Sequence, residues 1–328
     1  MKKFIFCICI ISFLFSCGDS EKPKEMKKEP VVVPSFDGTK AFSYVEKQCS
    51  FGPRVPGSEA HALCADFLCE VLRQNSDTLF VQDFRSRIFD GSIKQGKNII
   101  ASFNPDAKKR LIVSAHWDSR PFADQDSIEE RRHQPIDGAN DGASGVGIIL
   151  EIAQVVHQNP LPENVGLDLI LFDLEDYGSP SWNPQQYNDK SWALGSQYWA
   201  QHPHRAGYHA YLGILLDMVG NENPRFPREY YSDKYASNVL NKVWNAANGL
   251  GYSNIFVEEK GGPINDDHIA MNTVAGIPTI DNIHLEETTH EHTFYHTWHT
   301  SHDNIDNICS STLQVVGDVV LHVIYNER

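Results

Sequence analysis

The stretch LIVSAHWDS, residues 111–119, decides the fold class because it joins a buried strand to a polar turn. Its first five residues are small or apolar, which is typical of a β-strand buried on both faces. Residues 145–156 then predict a helix, and the apolar run at 167–172 predicts a second buried strand. This strand–helix–strand order is typical of α/β proteins, in which helices cover both faces of a mostly parallel sheet.

The same alternation continues along the chain. Apolar periodicity predicts further helices at residues 60–73, 236–247 and 313–325, and further strands at 211–216 and 276–283. Two early segments, residues 80–84 and 98–103, predict an antiparallel edge. We therefore expect a single α/β domain over residues 36–328, with a central twisted sheet that is mixed but mostly parallel and is flanked by helices.

Composition and charge limit the classes of partner. The chain has 328 residues, of which 41% are hydrophobic and 22% charged, as is ordinary for a soluble globular protein with one large core. The formal net charge of -15 argues against a nucleic-acid partner, because phosphate binding requires a basic surface. The same charge argues against electrostatic docking on anionic lipid.

The first residues resemble an export signal. Two lysines precede an apolar run at residues 4–15, which is too short to span a membrane as a mature helix. Cys17 ends a segment that resembles the bacterial lipobox, whose cysteine is lipidated; the alternative is an ordinary signal peptide cleaved nearby. We expect residues 1–17 to be a lipoprotein signal segment and residues 18–35 a flexible tether. The chain would then be an exported, periplasmic bacterial lipoprotein that meets the membrane only through the lipid at Cys17.

Four cysteines lie in the predicted domain, namely Cys49, Cys64, Cys69 and Cys309. An exported protein can oxidise them, and four cysteines allow three pairings that the sequence does not distinguish. Cys64 and Cys69 share a predicted helix, where their spacing gives poor disulfide geometry. We therefore expect buried free thiols.

Polar side chains follow several of the predicted strands. His116 and Asp118 come after the first buried strand, Glu175 and Asp176 after the second, and Asp217 after the third. Open α/β sheets bind their ligands beyond the carboxyl ends of the strands. The sequence therefore predicts one site, at one edge of the sheet, that is rich in carboxylates and imidazole.

A glycine-rich loop contributes another acid to this set. Asp141 lies in DGANDGASG, residues 137–145, which precedes a predicted helix; a simple helix N-cap is the alternative role. Histidine with carboxylates and no thiolate suits a catalytic zinc ion. The sequence contains neither an HExxH helix nor a GxSxG turn, which disfavours those hydrolase classes. A glycosidase carboxylate pair would leave His116 and His299 unexplained.

Four segments together carry a family resemblance. GPRVPGS at residues 52–58, SAHWDS at 114–119, GANDGASG at 138–145 and LFDLED at 171–176 resemble the motifs of the M28 zinc metallopeptidase family. The resemblance extends over about residues 51–306. It implies a zinc enzyme with an M28 aminopeptidase-like fold.

Two branches of that family compete, the two-zinc aminopeptidases and the one-zinc glutaminyl cyclases of the animal type. INDDH at residues 264–268, the segment 294–300 and Trp182 resemble features of the cyclases. His116 and Asp217, however, could complete the second metal site of an aminopeptidase. Asp176 departs from the animal cyclases, which carry a glutamate there, so its side chain is one carbon shorter.

The resemblance implies a role for each candidate residue. Zinc would be held by Asp141, Asp176 and His299, with His116 as a second-metal candidate. Glu175 would be the catalytic base, and Asp217 and Asp266 would act with it. The implied substrate pocket is lined by Trp182, Met218, Ile264, Phe294 and Trp298.

The resemblance to the cyclases implies an acyltransferase that converts N-terminal glutamine of peptides or proteins to pyroglutamate and releases ammonia. One Zn²⁺ is expected in that case. The first alternative is a two-zinc aminopeptidase that releases N-terminal amino acids. The second is a non-enzymatic binding lipoprotein, which would be expected to have lost Glu175 or a ligand; neither is missing.

Overall fold

A six-stranded sheet forms the centre of the structure. The structure is a computed structural model that describes residues 1, 31–286 and 293–327. Cys17, almost all of the signal segment and most of the expected tether lie outside the described residues. The strands are β1 (Thr78–Arg87), β2 (Ile93–Phe103), β3 (Lys109–His116), β4 (Val165–Phe172), β5 (Leu212–Asp217), β6 (Phe226–Arg228), β7 (Phe256–Lys260), β8 (Thr279–Ile283), β9 (Leu285–Glu286) and β10 (Thr293–Phe294). The longer helices are α1 (Gly38–Cys49), α2 (Glu59–Gln74), α3 (Ala143–Gln158), α4 (Leu194–Gln201), α5 (Tyr230–Gly249), α6 (Asp267–Thr273) and α7 (Ser310–Asn326).

The sheet order is β1-β2-β4-β3-β5-β8. Strands β4, β3, β5 and β8 run parallel to one another. Strands β1 and β2 are antiparallel to each other, and β2 is antiparallel to β4. The prediction of a mixed, mostly parallel sheet with an antiparallel edge is therefore confirmed. Residues from Val32 onward form one compact unit.

Helices cover both faces of this sheet because its strands are apolar on both faces. On one face Ile112 and Ile170 pack against Trp199 of α4 and Met271 of α6 in a single buried cluster. On the other face α3 packs closely on β3: a Cβ added to Gly145 would lie 2.9 Å from the Cβ of Ala115, so a larger residue would not fit. Helix α3 in turn contacts α1 and α7.

Three helices, α1, α4 and α6, were not anticipated from the sequence. Helix α1 has few apolar positions, and its start is fixed by Asp37, whose carboxylate accepts hydrogen bonds from Thr39 N and Lys40 N at 2.9 and 3.1 Å. Helices α4 and α6 have eight and seven residues, too few for a clear helical period. All three are stabilised by tertiary packing.

The four cysteines of the domain are all free, and Cys64 and Cys69 are buried as expected, whereas Cys49 and Cys309 are partly exposed. Within the described part of the chain, none of the helices is both long and apolar enough to cross a lipid bilayer.

A buried ion pair lies between β3 and β4, near their amino ends. Arg110 donates from Nε to Asp168 Oδ2 at 2.8 Å and from Nη2 to Asp168 Oδ1 at 2.7 Å, and both side chains are buried. Ser102 and Tyr208 also donate to the Asp168 carboxylate. Both oxygens of the Asp168 carboxylate accept hydrogen bonds. Because the pair is buried, removing one partner would leave an uncompensated charge in the core.

We expect Asp168→Ala to lower the free energy of unfolding by about 3–5 kcal/mol, because Arg110 would stay buried without its counter-ion. The control is Glu70→Ala, which breaks a surface pair between Arg73 Nη1 and Glu70 Oε2 at 3.3 Å, with both side chains 59% exposed. That change should lower the free energy of unfolding by at most about 1 kcal/mol. Urea unfolding of both variants measures the difference, and equal losses would contradict the prediction.

Candidate metal and catalytic site

The site lies at the carboxyl ends of three adjacent strands. Strand β3 ends at His116, β5 ends at Asp217, and β4 ends just before the turn that carries Glu175 and Asp176. Because these strands are parallel neighbours, their ends meet at one edge of the sheet. The structure brings the predicted polar residues together at this edge.

Asp141 reaches the same edge from the loop before α3. Gly142 has a φ of 91°, and a Cβ there would lie 2.8 Å from Cε1 of His116, so only glycine fits. The carboxylate of Asp303 accepts hydrogen bonds from Asn140 N at 2.8 Å and from Asp141 N at 3.1 Å. These contacts fix the loop backbone and leave the Asp141 carboxylate pointing at the site.

Asp141, Asp176 and His299 form a group with the geometry of a metal site, since one ligand atom from each lies within 4.8 Å of the others. His299 Nε2 lies 3.0 Å from Asp176 Oδ1 and 3.5 Å from Asp141 Oδ2. Both oxygens of Asp176 and Oδ2 of Asp141 are buried without a hydrogen bond of acceptable geometry. Two buried carboxylates and one imidazole fit a divalent cation, and the N/O donor set suits zinc.

His299 has a strained backbone. Its φ is 53°, in the left-handed region that non-glycine residues seldom adopt. The rings of Trp298 and Trp192 stack on the imidazole at centroid distances of 3.7 and 6.0 Å. Such strain persists where the surrounding structure fixes a functional side chain.

A second metal-capable group consists of His116, Asp141 and Asp217. His116 Nε2 lies 2.9 Å from Asp141 Oδ1 and 3.3 Å from Asp217 Oδ1. Asp118, behind His116, accepts hydrogen bonds from Glu175 N at 3.1 Å and from Asp176 N at 3.2 Å. The two groups share Asp141. The Asp118 carboxylate holds the backbone of the turn that carries Glu175 and Asp176.

A cavity lies beside the first metal-capable group. Three further carboxyl groups line this cavity, those of Glu175, Asp217 and Asp266. Burial raises the pKa of Glu175 well above its ordinary value; His116 opposes this shift and neighbouring carboxylates add to it. Burial likewise raises the pKa of Asp217 to about 7, and it raises that of Asp266. Clustered buried acids of this kind are typical of proton-transfer sites.

The cavity itself has a volume of about 50 Å³. That is room for on the order of four water-sized groups. Met218, Ile264, Phe294 and Trp298, all predicted to line the pocket, are among its lining residues. The sequence analysis missed Trp192, Asn265 and Ile283, which also line it.

Trp182 does not line this cavity, contrary to its assignment from the sequence. It is 42% exposed, and its ring contacts Phe122 at 5.1 Å and His133 at 4.4 Å. Trp192 occupies the pocket wall instead. Both tryptophans lie between Asp176 and α4, so their spacing from Glu175 and Asp176 did not show which one lines the cavity.

A larger cavity of about 580 Å³ lies elsewhere, next to Arg225 and Cys309. It contains none of the residues of the two metal-capable groups described above. The small cavity is therefore the candidate active site, because the ligand atoms and the perturbed acids converge there.

The sequence profile of Peptidase family M28 matches residues 98–324. The chain belongs to this family. It is thus a member of a family of zinc-dependent enzymes, and its His/Asp/Asp group fits that metal.

Three relatives illustrate the range within the family. The chain is 46% identical to Bacteroides thetaiotaomicron glutaminyl cyclase bound to N-acetylhistamine, with a TM-score of 0.88 over 90% of this chain and 100% of that one. It is equally identical, at 46%, to a leucine aminopeptidase precursor from the same organism, with a TM-score of 0.87 over 91% of this chain and 100% of that one. It is 28% identical to the glutaminyl-peptide cyclotransferase of Boiga irregularis, over 68% of this chain and 63% of that protein. The chain thus spans less than two thirds of the length of this curated relative.

Zinc should stabilise the protein through Asp141, Asp176 and His299. At a free zinc concentration 100-fold above Kd, the free energy of unfolding should rise by about 2.7 kcal/mol. Asp176→Asn should abolish most of this rise, because the amide carries no negative charge. Urea unfolding with zinc and with a chelator measures the difference.

The control for this measurement is Asp106→Asn, which changes an exposed acid before β3, away from the ligand-bearing strand ends. It should leave the zinc-dependent rise unchanged. An unaltered rise in Asp176→Asn would contradict the assignment of Asp176 as a ligand.

Proposed function

We propose that this chain is a zinc-dependent glutaminyl-peptide cyclotransferase. Its substrates are peptides or proteins with an N-terminal glutamine, and its products are the pyroglutamyl peptide and ammonia. The similarity to a bacterial glutaminyl cyclase over nine-tenths of the chain supports this reaction.

One observation carries the proposal: a small cavity in which the metal-capable group meets buried carboxyl groups and an apolar wall. The substrate's glutamine side chain would enter this cavity, and the rest of the peptide would stay outside. Enclosure of that side chain by Trp192, Trp298 and Ile264 would favour the folded conformation that ring closure requires.

One Zn²⁺ would be held by Asp141, Asp176 and His299, and when bound it would polarise the γ-amide carbonyl as a Lewis acid. Glu175 lines the same cavity and is not needed as a ligand. It accepts a proton from the substrate's α-amine as the amine attacks the γ-carbon, and it returns that proton to the leaving nitrogen. The new bond joins the α-nitrogen to the γ-carbon, the old carbon–nitrogen bond of the amide breaks, and ammonia leaves.

Asp217 and Asp266 line the cavity beside Glu175. Raised pKa values favour protonated carboxyl groups, which can donate hydrogen bonds as well as accept them. The two acids would orient Glu175 and the departing nitrogen.

A second candidate function is an aminopeptidase. The observation that favours it is the second group, His116, Asp141 and Asp217, which could hold another metal ion. The 46% identity of this chain to a leucine aminopeptidase precursor also supports this candidate. This function would require a bound water to attack the first peptide bond and would release a free amino acid.

The deciding substrate is a peptide that begins with glutamine. The unsubstituted protein should convert it to a product lighter by one ammonia, and Glu175→Gln should slow this reaction by about 10²–10⁴-fold because the base is lost. Mass spectrometry follows the product. The same peptide with an acetylated α-amine should not react, because its nitrogen cannot attack.

Zinc content must be measured alongside, since Glu175→Gln should still bind zinc. A product shortened by its first residue would contradict the cyclase and favour the aminopeptidase. Full activity of Glu175→Gln would contradict the role of Glu175 as the base.

The number of zinc ions provides an independent test. The unsubstituted protein should retain one zinc ion per chain after dialysis, His116→Gln should retain the same ion, and His299→Gln should lose it. Elemental mass spectrometry counts the ions. Two ions, falling to one in His116→Gln, would support the two-zinc aminopeptidase.

We also propose that the protein is exported and held at the membrane by a lipid on Cys17. The support is the lipobox-like segment that ends at this cysteine. In this arrangement residues 18–35 would separate the enzyme from the membrane.

A further inference from the structure

A buried arginine–aspartate pair lies directly behind the metal-capable group. Arg120 donates from Nε to Asp124 Oδ1 at 2.8 Å and from Nη2 to Asp124 Oδ2 at 2.8 Å. Arg120 is fully buried, and Asp124 is 5% exposed. A bidentate pair of this kind fixes the orientation of its carboxylate.

Asp124 faces the ring nitrogen of His299 that points away from the metal-capable group. Its Oδ1 lies 3.4 Å from His299 Nδ1, at the long end of hydrogen-bond range, while Nε2 faces Asp141 and Asp176. The next residue, Gln125, donates from its backbone N to His299 O at 3.0 Å. Residues 124 and 125 therefore hold both the side chain and the backbone of His299.

The Asp124 carboxylate is itself fixed from a second direction. Ser181 donates from its backbone N to Asp124 Oδ2 at 2.7 Å and from Oγ to Asp124 O at 2.8 Å. Only Oδ1 remains oriented toward the imidazole. A carboxylate held in this way accepts the Nδ1 proton and leaves the Nε2 lone pair free for a metal.

Arg120 also contacts the other parts of the site. Its Nη1 donates to the backbone oxygen of Asp176 at 2.9 Å. Its guanidinium lies 4.6 Å from the ring centroid of Trp192, whose ring stacks on His299. A planar guanidinium can make all these contacts at once, and a lysine cannot.

We propose that Arg120 and Asp124 are positioning residues for the zinc site: Asp124 selects the His299 tautomer that can bind metal, and Arg120 aligns Asp124, Asp176 and Trp192. This inference rests on the zinc site proposed above, but it does not depend on whether the reaction is cyclisation or peptide hydrolysis. It assigns a role to two residues that the sequence motifs do not include.

The structure offers a matched control for this pair. Arg110 and Asp168 form an equally buried, bidentate pair, but they lie near the amino ends of β3 and β4, away from the metal-capable group. Asp168→Asn and Asp124→Asn make the same chemical change in the same kind of pair. Both should lower stability, whereas only Asp124→Asn should change metal binding.

The experiment measures the zinc dissociation constant of each protein by competition with a chromophoric chelator, and urea unfolding of the same samples without zinc. Asp124→Asn should weaken zinc binding about 10–100-fold. Arg120→Lys should weaken it in the same direction, and Asp168→Asn should leave it within about threefold of the unsubstituted protein, a limit well below the effect of losing an outer-shell partner. Equal zinc affinity in Asp124→Asn and Asp168→Asn would overturn the proposal.

A second measurement uses the unsubstituted zinc-bound protein and does not require Asp124→Asn or Arg120→Lys to fold. Nuclear magnetic resonance of the protein with ¹⁵N-labelled histidine reports which ring nitrogen of His299 carries the proton, with His299→Gln to assign the signal. The proposal requires the proton on Nδ1. A proton on Nε2, or none on Nδ1, would overturn it even if zinc binds tightly.

Discussion

The carboxylates of Asp141 and Asp176 are buried beside the imidazoles of His299 and His116. Three of their four oxygens are buried without a hydrogen bond of acceptable geometry. Other acids hold the backbones of these residues: Asp118 accepts from Asp176 N, and Asp303 accepts from Asp141 N. This arrangement fixes the ligand-bearing loops without using the ligand oxygens. Ligand oxygens held in this way fit a divalent cation, because the contacts that position them leave them without hydrogen bonds.

The order of the strands explains why these groups meet. Strands β4, β3 and β5 are neighbours in the sheet, and each delivers polar residues at its carboxyl end. The helices on both faces bury the apolar residues of the sheet beneath that edge. Burial then raises the pKa values of the acids beside the metal-capable group, which suits them to exchange protons with a substrate.

Two of the metal-capable groups share Asp141, so the same strand ends offer either one metal site or two. His116 Nε2 is only 2.9 Å from Asp141 Oδ1, so His116 is placed either to ligate a second ion or to restrain this shared carboxylate. In the proposed cyclase, which binds one zinc ion, the adjacent cavity encloses the side chain of the substrate. With two ions, it must admit a nucleophilic water.

The sequence alone determined the α/β class, the antiparallel edge and the convergence of Glu175, Asp176 and Asp217. These follow from local apolar patterns and from the rule that parallel strands end at a common edge. Only the tertiary structure decided that Trp192 and not Trp182 forms the pocket wall, and that Arg120 and Asp124 stand behind His299. Contacts between residues 124 and 299 depend on how distant loops pack, and no local pattern records that packing.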